Sequence, residues 1–177
     1  MTAPEFSRCF ALNTIGTTPR SVTIAPNDGE RAALAERFDL TGLDRLEAKA
    51  TLVMQGDGIT CTGTLIASVV QRCVATGAPV PARVNTDFAI RFVAHSDDAV
   101  ADEIEISVED CDTIEHDGVA IDLGEAVAQT LLLALDPFPR AAEADKALKA
   151  AGVIGEDDVV SGAFAGLKSL LSTAPKQ

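Results

Sequence analysis

The stretch that decides the fold is LEAKATLVMQGDGITCTGTLIASVVQR, residues 46–72. Leu46, Ala48, Ala50, Leu52 and Met54 alternate with Glu47, Lys49, Thr51, Val53 and Gln55. A period of two marks a strand with one face inside. Gly56-Asp57-Gly58 then breaks the run, and Asp-Gly supplies the positive φ of a tight hairpin. Beyond it, Ile59, Cys61, Leu65, Ala67 and Val69 fall on one face, and Thr60, Thr62, Thr64, Ser68 and Arg72 on the other. Strands joined by so short a turn pair antiparallel, with one buried face.

Working outward, the next strand runs from Val80 through Ala82, Val84, Phe88 and Ile90 to Phe92, after a loop holding Gly77, Pro79 and Pro81. Ile104, Ile106 and Val108 alternate with acids as a further strand, and Thr113–Asp117 and Val119–Ile121 flank Asp117-Gly118 as a second hairpin. These connections suit an antiparallel sheet and leave no room for a crossover helix. Upstream, Phe6–Leu12 and Ser21–Ala25 are short extended segments. Asn27 with Glu30 three residues on forms a capping box for a short amphipathic helix over Gly29–Phe38, where Leu34 and Phe38 share a face. Asp122 caps the main helix, with a stripe of Leu123, Val127, Leu131 and Leu135 widened by Ala128, Leu132 and Ala134. Asp136-Pro137 stops it. Ala141–Ala150 and Val159–Leu171 are two further helical candidates. The resulting expectation is an α+β fold: an antiparallel, strongly curved sheet packed by a long apolar helix. Residues 1–140 form the domain, and residues 141–177 a loosely packed helical C-terminal extension.

Among 177 residues, 14 are basic and 27 acidic, giving a net charge of −13. Between Phe92 and Pro139 there are 13 acids and no Lys or Arg, so one block carries the whole excess. Such a block repels nucleic acid and attracts basic partners, Asp97, Asp98, Asp102 and Glu103 being its candidate contact residues. The plain alternative is a solvated face. There are seven Phe and no Trp or Tyr, which speaks against a base-stacking platform and against a Trp- or Tyr-centred hot spot. No signal-peptide pattern opens the chain, and the longest apolar run, Leu123–Leu135, is interrupted by Gly124, Glu125, Gln129 and Thr130. The expectation is a cytoplasmic protein without a membrane partner.

Catalytic motifs are missing: no G-x-S-x-G, P-loop, G-x-G-x-x-G or H-E-x-x-H occurs. Cys9, Cys61, Cys73 and Cys111 contain no C-x-x-C pair, His95 and His116 are isolated, and no acidic loop has calcium spacing, so neither metal nor cofactor is expected. By parity Cys61 is a core residue. Cys73, at the strand end, is expected to be more exposed, with only Arg72 nearby to lower its pKa. Arg72, Arg83 and Arg91 all fall on the outward face, with Lys49 on the neighbouring strand. Brought together, they form a candidate face for RNA phosphate; the plain alternative is charge balance against Asp87 and Glu47.

Gln71-Arg72-Cys73-Val74-Ala75-Thr76, followed by Pro79-Val80-Pro81 and Phe88-Ala89-Ile90-Arg91-Phe92, resembles the YceD family in its alphaproteobacterial version. The segments Ile121–Glu125, Leu133–Arg140 and Ala163–Lys168 are similar to further family elements, and the early helix Glu30–Ala35 also fits. Gln71, Cys73, Thr76, Pro79, Asp122 and Pro137 are the positions that carry the motifs. Many family members have a C-x-x-C-type pair at the strand end. Here Val70 stands at its first position, so a metal role does not carry over. The resemblance implies a non-enzymatic accessory factor in accumulation of large-subunit (23S) ribosomal RNA. Its implied partners are a basic ribosomal protein, ribosomal RNA, or both, and not DNA. A redox or catalytic protein using Cys73 and a generic acidic interaction module are the alternatives.

Overall fold

The computed structural model describes residues 4–95 and 112–153. Its elements in chain order are β1 (Cys9–Ala11), a 3-10 turn (Leu12–Thr14), β2 (Arg20–Ile24), α1 (Asp28–Arg37), β3 (Gly42–Gln55), β4 (Gly58–Arg72), β5 (Pro79–Ala94), β6 (Asp112–His116), β7 (Ala120–Asp122), α2 (Leu123–Ala134) and α3 (Ala144–Ala150). The α+β class stands.

The hairpin of residues 46–72 is the centre of the molecule. β3 and β4 pair antiparallel with Leu52 opposite Cys61 and Ala48 opposite Leu65, so the expected buried faces coincide. The positive φ falls on Gly56, at 62°, which makes a two-residue loop with glycine first instead of an Asp-Gly turn. β3 begins at Gly42, ahead of the first alternating residue Leu46. A register shift between Leu43 and Arg45 inserts an extra residue and hides the period there. β5 pairs with β4 along its length, placing Ile90 opposite Cys61 and Phe92 opposite Ile59.

Three expectations about the sheet need correction. It is mixed, in the order β2-β3-β4-β5-β6, because β6 runs parallel to β5. Residues 95–111, seventeen in all, separate these strands, long enough for the crossover a parallel pair requires. The Asp117-Gly118 segment is therefore no hairpin: β7 leaves β6 and pairs with β1 in a separate two-stranded sheet, Cys9 opposite Asp122. The main sheet is also not strongly curled; among the described residues β2 and β6 are its edge strands. The Ile104–Val108 strand and the Val159–Leu171 helix lie outside the described residues.

Both principal helices pack on one face of the main sheet. Leu34 of α1 and Leu123, Val127 and Leu131 of α2 are fully buried with Leu52, Cys61 and Leu65. α2 has 12 residues, three turns, and is not the long helix expected. Leu135 is half-buried against the core, but Leu132 and Ala134 are exposed. Leu132 lies about 140° round the helix from Val127 at about 100° per residue, on the wrong side for the sheet. Ala134 sits in the final turn, past the last buried residue, Leu131.

The α1 capping box forms as expected: the Asn27 side chain accepts from the Glu30 N–H at 2.9 Å, and Glu30 Oε2 accepts from the Asn27 N–H at 2.7 Å. Arg8 adds a fork onto both Glu30 oxygens, each at 2.8 Å. This fork, with the Asn27 N–H, holds the Glu30 carboxyl down at about 2 against an ordinary 4.5. A depressed carboxylate stabilises the fold fully above its unfolded value and ceases to do so as pH falls through its folded one. The stability difference between the native chain and Glu30→Gln, followed by urea unfolding, is expected to shrink as pH drops from about 4.5 toward 2. Its size above that window is about 1–2 kcal/mol, given side chains 32% and 20% exposed. A difference independent of pH would rule out this role for the fork.

Candidate functional site

The motif positions around Cys73 assemble at one junction, where the end of β4 meets the segment after α2. Gln71 is buried, and its Nε2 donates to the Asp136 carbonyl at 2.8 Å. The Val74 N–H donates to the Pro139 carbonyl at 2.9 Å, and the Ala141 N–H to Cys73 Sγ at 3.3 Å. A tight turn closes beside them, the Gly77 N–H donating to the Cys73 carbonyl and the Thr76 hydroxyl accepting from the Ala78 N–H. Pro79 opens β5 opposite Arg72, and Pro137 stands exposed between Asp136 and Phe138.

Cys73 is only 3% exposed, contrary to the expectation for a strand-end residue. Its cover comes from residues 139–141, far along the chain, which spacing does not reveal. Its thiol is brought down from 9.0 to about 7 by the Ala141 N–H, then the Thr76 hydroxyl and the Ala75 and Thr76 N–H groups. Arg72 is not among the causes. Cys61, in the core, is pushed up to about 12 by burial.

The four cations proposed for phosphate stand on the outward face, but they do not cluster. In the register of β4 they occupy every fourth position: Arg72 itself, Arg83 opposite Ser68, Lys49 opposite Thr64 and Arg91 opposite Thr60. At about 3.3 Å per residue, neighbours are about 13 Å apart and the row is about 40 Å long. Strand alternation keeps them on one face, and strand length spreads them out. Arg91 reaches Asp57 at 2.6 Å, Arg72 approaches Asp39 at 3.6 Å and Lys49 approaches Glu47 at 3.9 Å. Arg83 has no ion pair among the described residues. Asp87, expected as a partner, instead accepts from the Thr64 hydroxyl at 2.8 Å. Among the described residues no helix covers this face, and Thr62, Ile66, Asn85 and Ala89 are exposed between the cations.

Asp122, the remaining motif position, ties three segments together. Its Oδ1 accepts from the Gly124 and Glu125 N–H groups of α2 and from the Arg8 N–H, at 3.0, 3.2 and 2.8 Å, and its Oδ2 accepts from the Ser7 hydroxyl at 2.6 Å. Sequence reasoning saw the cap and missed the N-terminal segment docked on it. Arg37, exposed on α1, forks onto Glu125 at 2.8 and 2.7 Å and reaches Glu5 at 2.9 Å, bridging α1 to α2. No short-range pattern signals a pair 88 residues apart.

Asp97, Asp98, Asp102 and Glu103 lie outside the described residues. Of the acidic block, Glu115 meets His95 Nδ1 at 2.6 Å, and Asp117 accepts from the Val119 and Ala120 N–H groups, which hold its carboxyl below the ordinary range. Among the described residues no group of His, Cys, Asp and Glu is placed to hold a metal, and no helix is long and apolar enough to cross a membrane.

No curated protein and no solved structure matches the chain. A family model does, over residues 61–171, which is 111 of 177 residues. The match spans the Gln71–Thr76 element, the Phe88–Phe92 strand, Ile121–Glu125, Leu133–Arg140 and Ala163–Lys168; the early helix lies outside it. With more than half its length matched, the chain belongs to the YceD family, described as large ribosomal RNA subunit accumulation protein.

Proposed function

We propose that the protein is a non-enzymatic accessory factor that binds large-subunit ribosomal RNA along the outer face of β3–β5. In this reading Arg72, Arg83, Lys49 and Arg91 contact phosphates spaced along an RNA backbone, while the acidic block engages a basic ribosomal protein. The even spacing of the four cations supports this reading: the row is too extended for one phosphate and suits a polymer of them. The aromatic side chains of β5, Phe88 and Phe92, are buried, so this face offers charge and hydroxyls and no stacking ring.

Replacing all four cations with glutamine is expected to lower the salt dependence of binding to a large-subunit RNA fragment, by about 0.7–0.9 in log–log slope per lost contact, or about 3 in total. Exposed positions of this kind change stability by about 0.5 kcal/mol or less each. Neutralising Asp97, Asp98, Asp102 and Glu103 is expected to weaken binding to the ribosomal protein instead. Unchanged slopes in the first variant sink the RNA half, and unchanged protein binding in the second sinks the other.

A rival reading, thiol chemistry at Cys73, has one observation in its favour, the thiol lowered to about 7. Burial opposes it: attack requires access as well as thiolate. At pH 8, iodoacetamide is expected to modify Cys73 about tenfold more slowly than exposed Cys9, and Cys73→Ser is expected to leave ribosomal RNA levels unchanged. Fast labelling with loss of function on substitution favours the rival.

A further inference from the structure

The cations account for only part of the outer face of β3–β5; hydroxyls fill much of the space between them. The outward residues of β4 include Thr60, Thr62, Thr64 and Ser68, and the register sets Thr51 of β3 opposite Thr62. Alternate residues of a strand stand about 7 Å apart, so the hydroxyls run as a row beside the cations. Thr62 is exposed and the others are half-buried. Thr60 donates to Gln55 Oε1 at 3.0 Å and Thr64 to Asp87 Oδ1 at 2.8 Å, which leaves both oxygens free to accept from outside. Of the acids on this face, Asp87 is thus engaged by Thr64, and Glu47 by Arg45 at 3.0 Å. Arg45 itself adds a fifth cation, opposite Ser68.

We propose that this face takes double-helical RNA, its hydroxyl row lying against the ribose 2′-hydroxyls of the minor groove while the cations hold the phosphates on either side. The inference rests on the RNA reading above and narrows it to one form of RNA. Single strands are held mainly by bases stacked on exposed rings. No aromatic side chain points outward from β3, β4 or β5: Phe88 and Phe92 are buried, and the chain has neither Trp nor Tyr. A duplex asks for something else. Its minor groove is wide and shallow, displays phosphates and 2′-hydroxyls together, and is recognised by shape and by contacts to those two groups. The face has a matching form, since it is not strongly curled and its four strands β2 to β5 span about 14 Å across. A 2′-hydroxyl both donates and accepts, so it can bond to Thr60 and Thr64 as a donor and to Thr62 in either sense. DNA offers no such group.

The test is fluorescence anisotropy on the full chain with three probes of one sequence: an RNA duplex of about 16 base pairs, the same duplex as DNA, and one of its RNA strands alone. The RNA duplex is expected to bind about tenfold or more tighter than either of the others. A chain with Thr60→Val, Thr62→Val and Thr64→Val keeps the branched side chains that suit a strand and loses the hydroxyls. It is expected to lose most of the preference for RNA over DNA and to retain the native salt slope, which the cations set. A native urea midpoint shows that this variant is folded, and the comparison of probes on the native chain stands in either case. A single strand bound as tightly as the duplex, equal affinity for the two duplexes, or a preference that survives in the folded variant overturns the proposal and leaves the phosphate contacts of the cation row in place. Absence of salt-dependent binding to every probe sinks the RNA reading itself, and the proposal with it.

Discussion

Gly63→Val is expected to destabilise the chain by about 3 kcal/mol or more, a large share of the stability of a domain this size. Gly63 lies mid-way along β4, between Ala50 of β3 and Phe88 of β5, on the face turned to the core. A Cβ there meets the Lys49 carbonyl oxygen at 2.2 Å and the Ala50 Cα at 2.9 Å, both backbone, and Phe88 Cζ at 2.9 Å. A side-chain tip can swing away; paired backbone in two long strands cannot. Even Gly63→Ala is expected to cost about 1–3 kcal/mol, valine more. Urea denaturation of both variants checks this, and a valine variant with a native midpoint removes the close packing as a cause.

Asp122→Ala is expected to cost about 3 kcal/mol. The helix cap contributes about 1 kcal/mol. The rest follows from leaving the Arg8 N–H and the Ser7 hydroxyl without their acceptor in a part-buried site. Asp122→Asn keeps an oxygen for the three N–H groups, so its loss is expected to be about 1 kcal/mol. Thermal melts rank the two. Equal losses in both variants would mean that charge, and not the acceptor geometry, holds the N-terminal segment on α2.

These two sites differ in how far the sequence disclosed them. The alternation over residues 46–72 exposes the central hairpin because strand faces are written locally, two residues at a time. The Asn27–Glu30 cap and the Asp122 cap are equally local. Gly63 is invisible to alternation: a glycine fits either face of the pattern, and its need for two adjacent backbones appears only once β3 and β5 are in place. The same holds for the parallel β5–β6 pair and for β1–β7, whose partners are chosen across long stretches of chain. Outward parity placed Arg72, Arg83, Lys49 and Arg91 on one face, but parity says nothing about position along a strand, so a cluster was expected where a row exists. Cys73 was misjudged for a related reason, since its cover arrives from residues 139–141.

The pairing of β1 with β7 sets a timetable for synthesis. Cys9 waits for Asp122, 113 residues later, and at about 5–20 residues per second that interval is on the order of ten seconds. Throughout it the N-terminal segment has only its contacts with α1, the Arg8–Glu30 fork and the Arg37–Glu5 pair, while β2, β3 and β4 already have each other. The first segment to be made is thus completed only when β7 and the start of α2 supply its strand partner and the Asp122 acceptor.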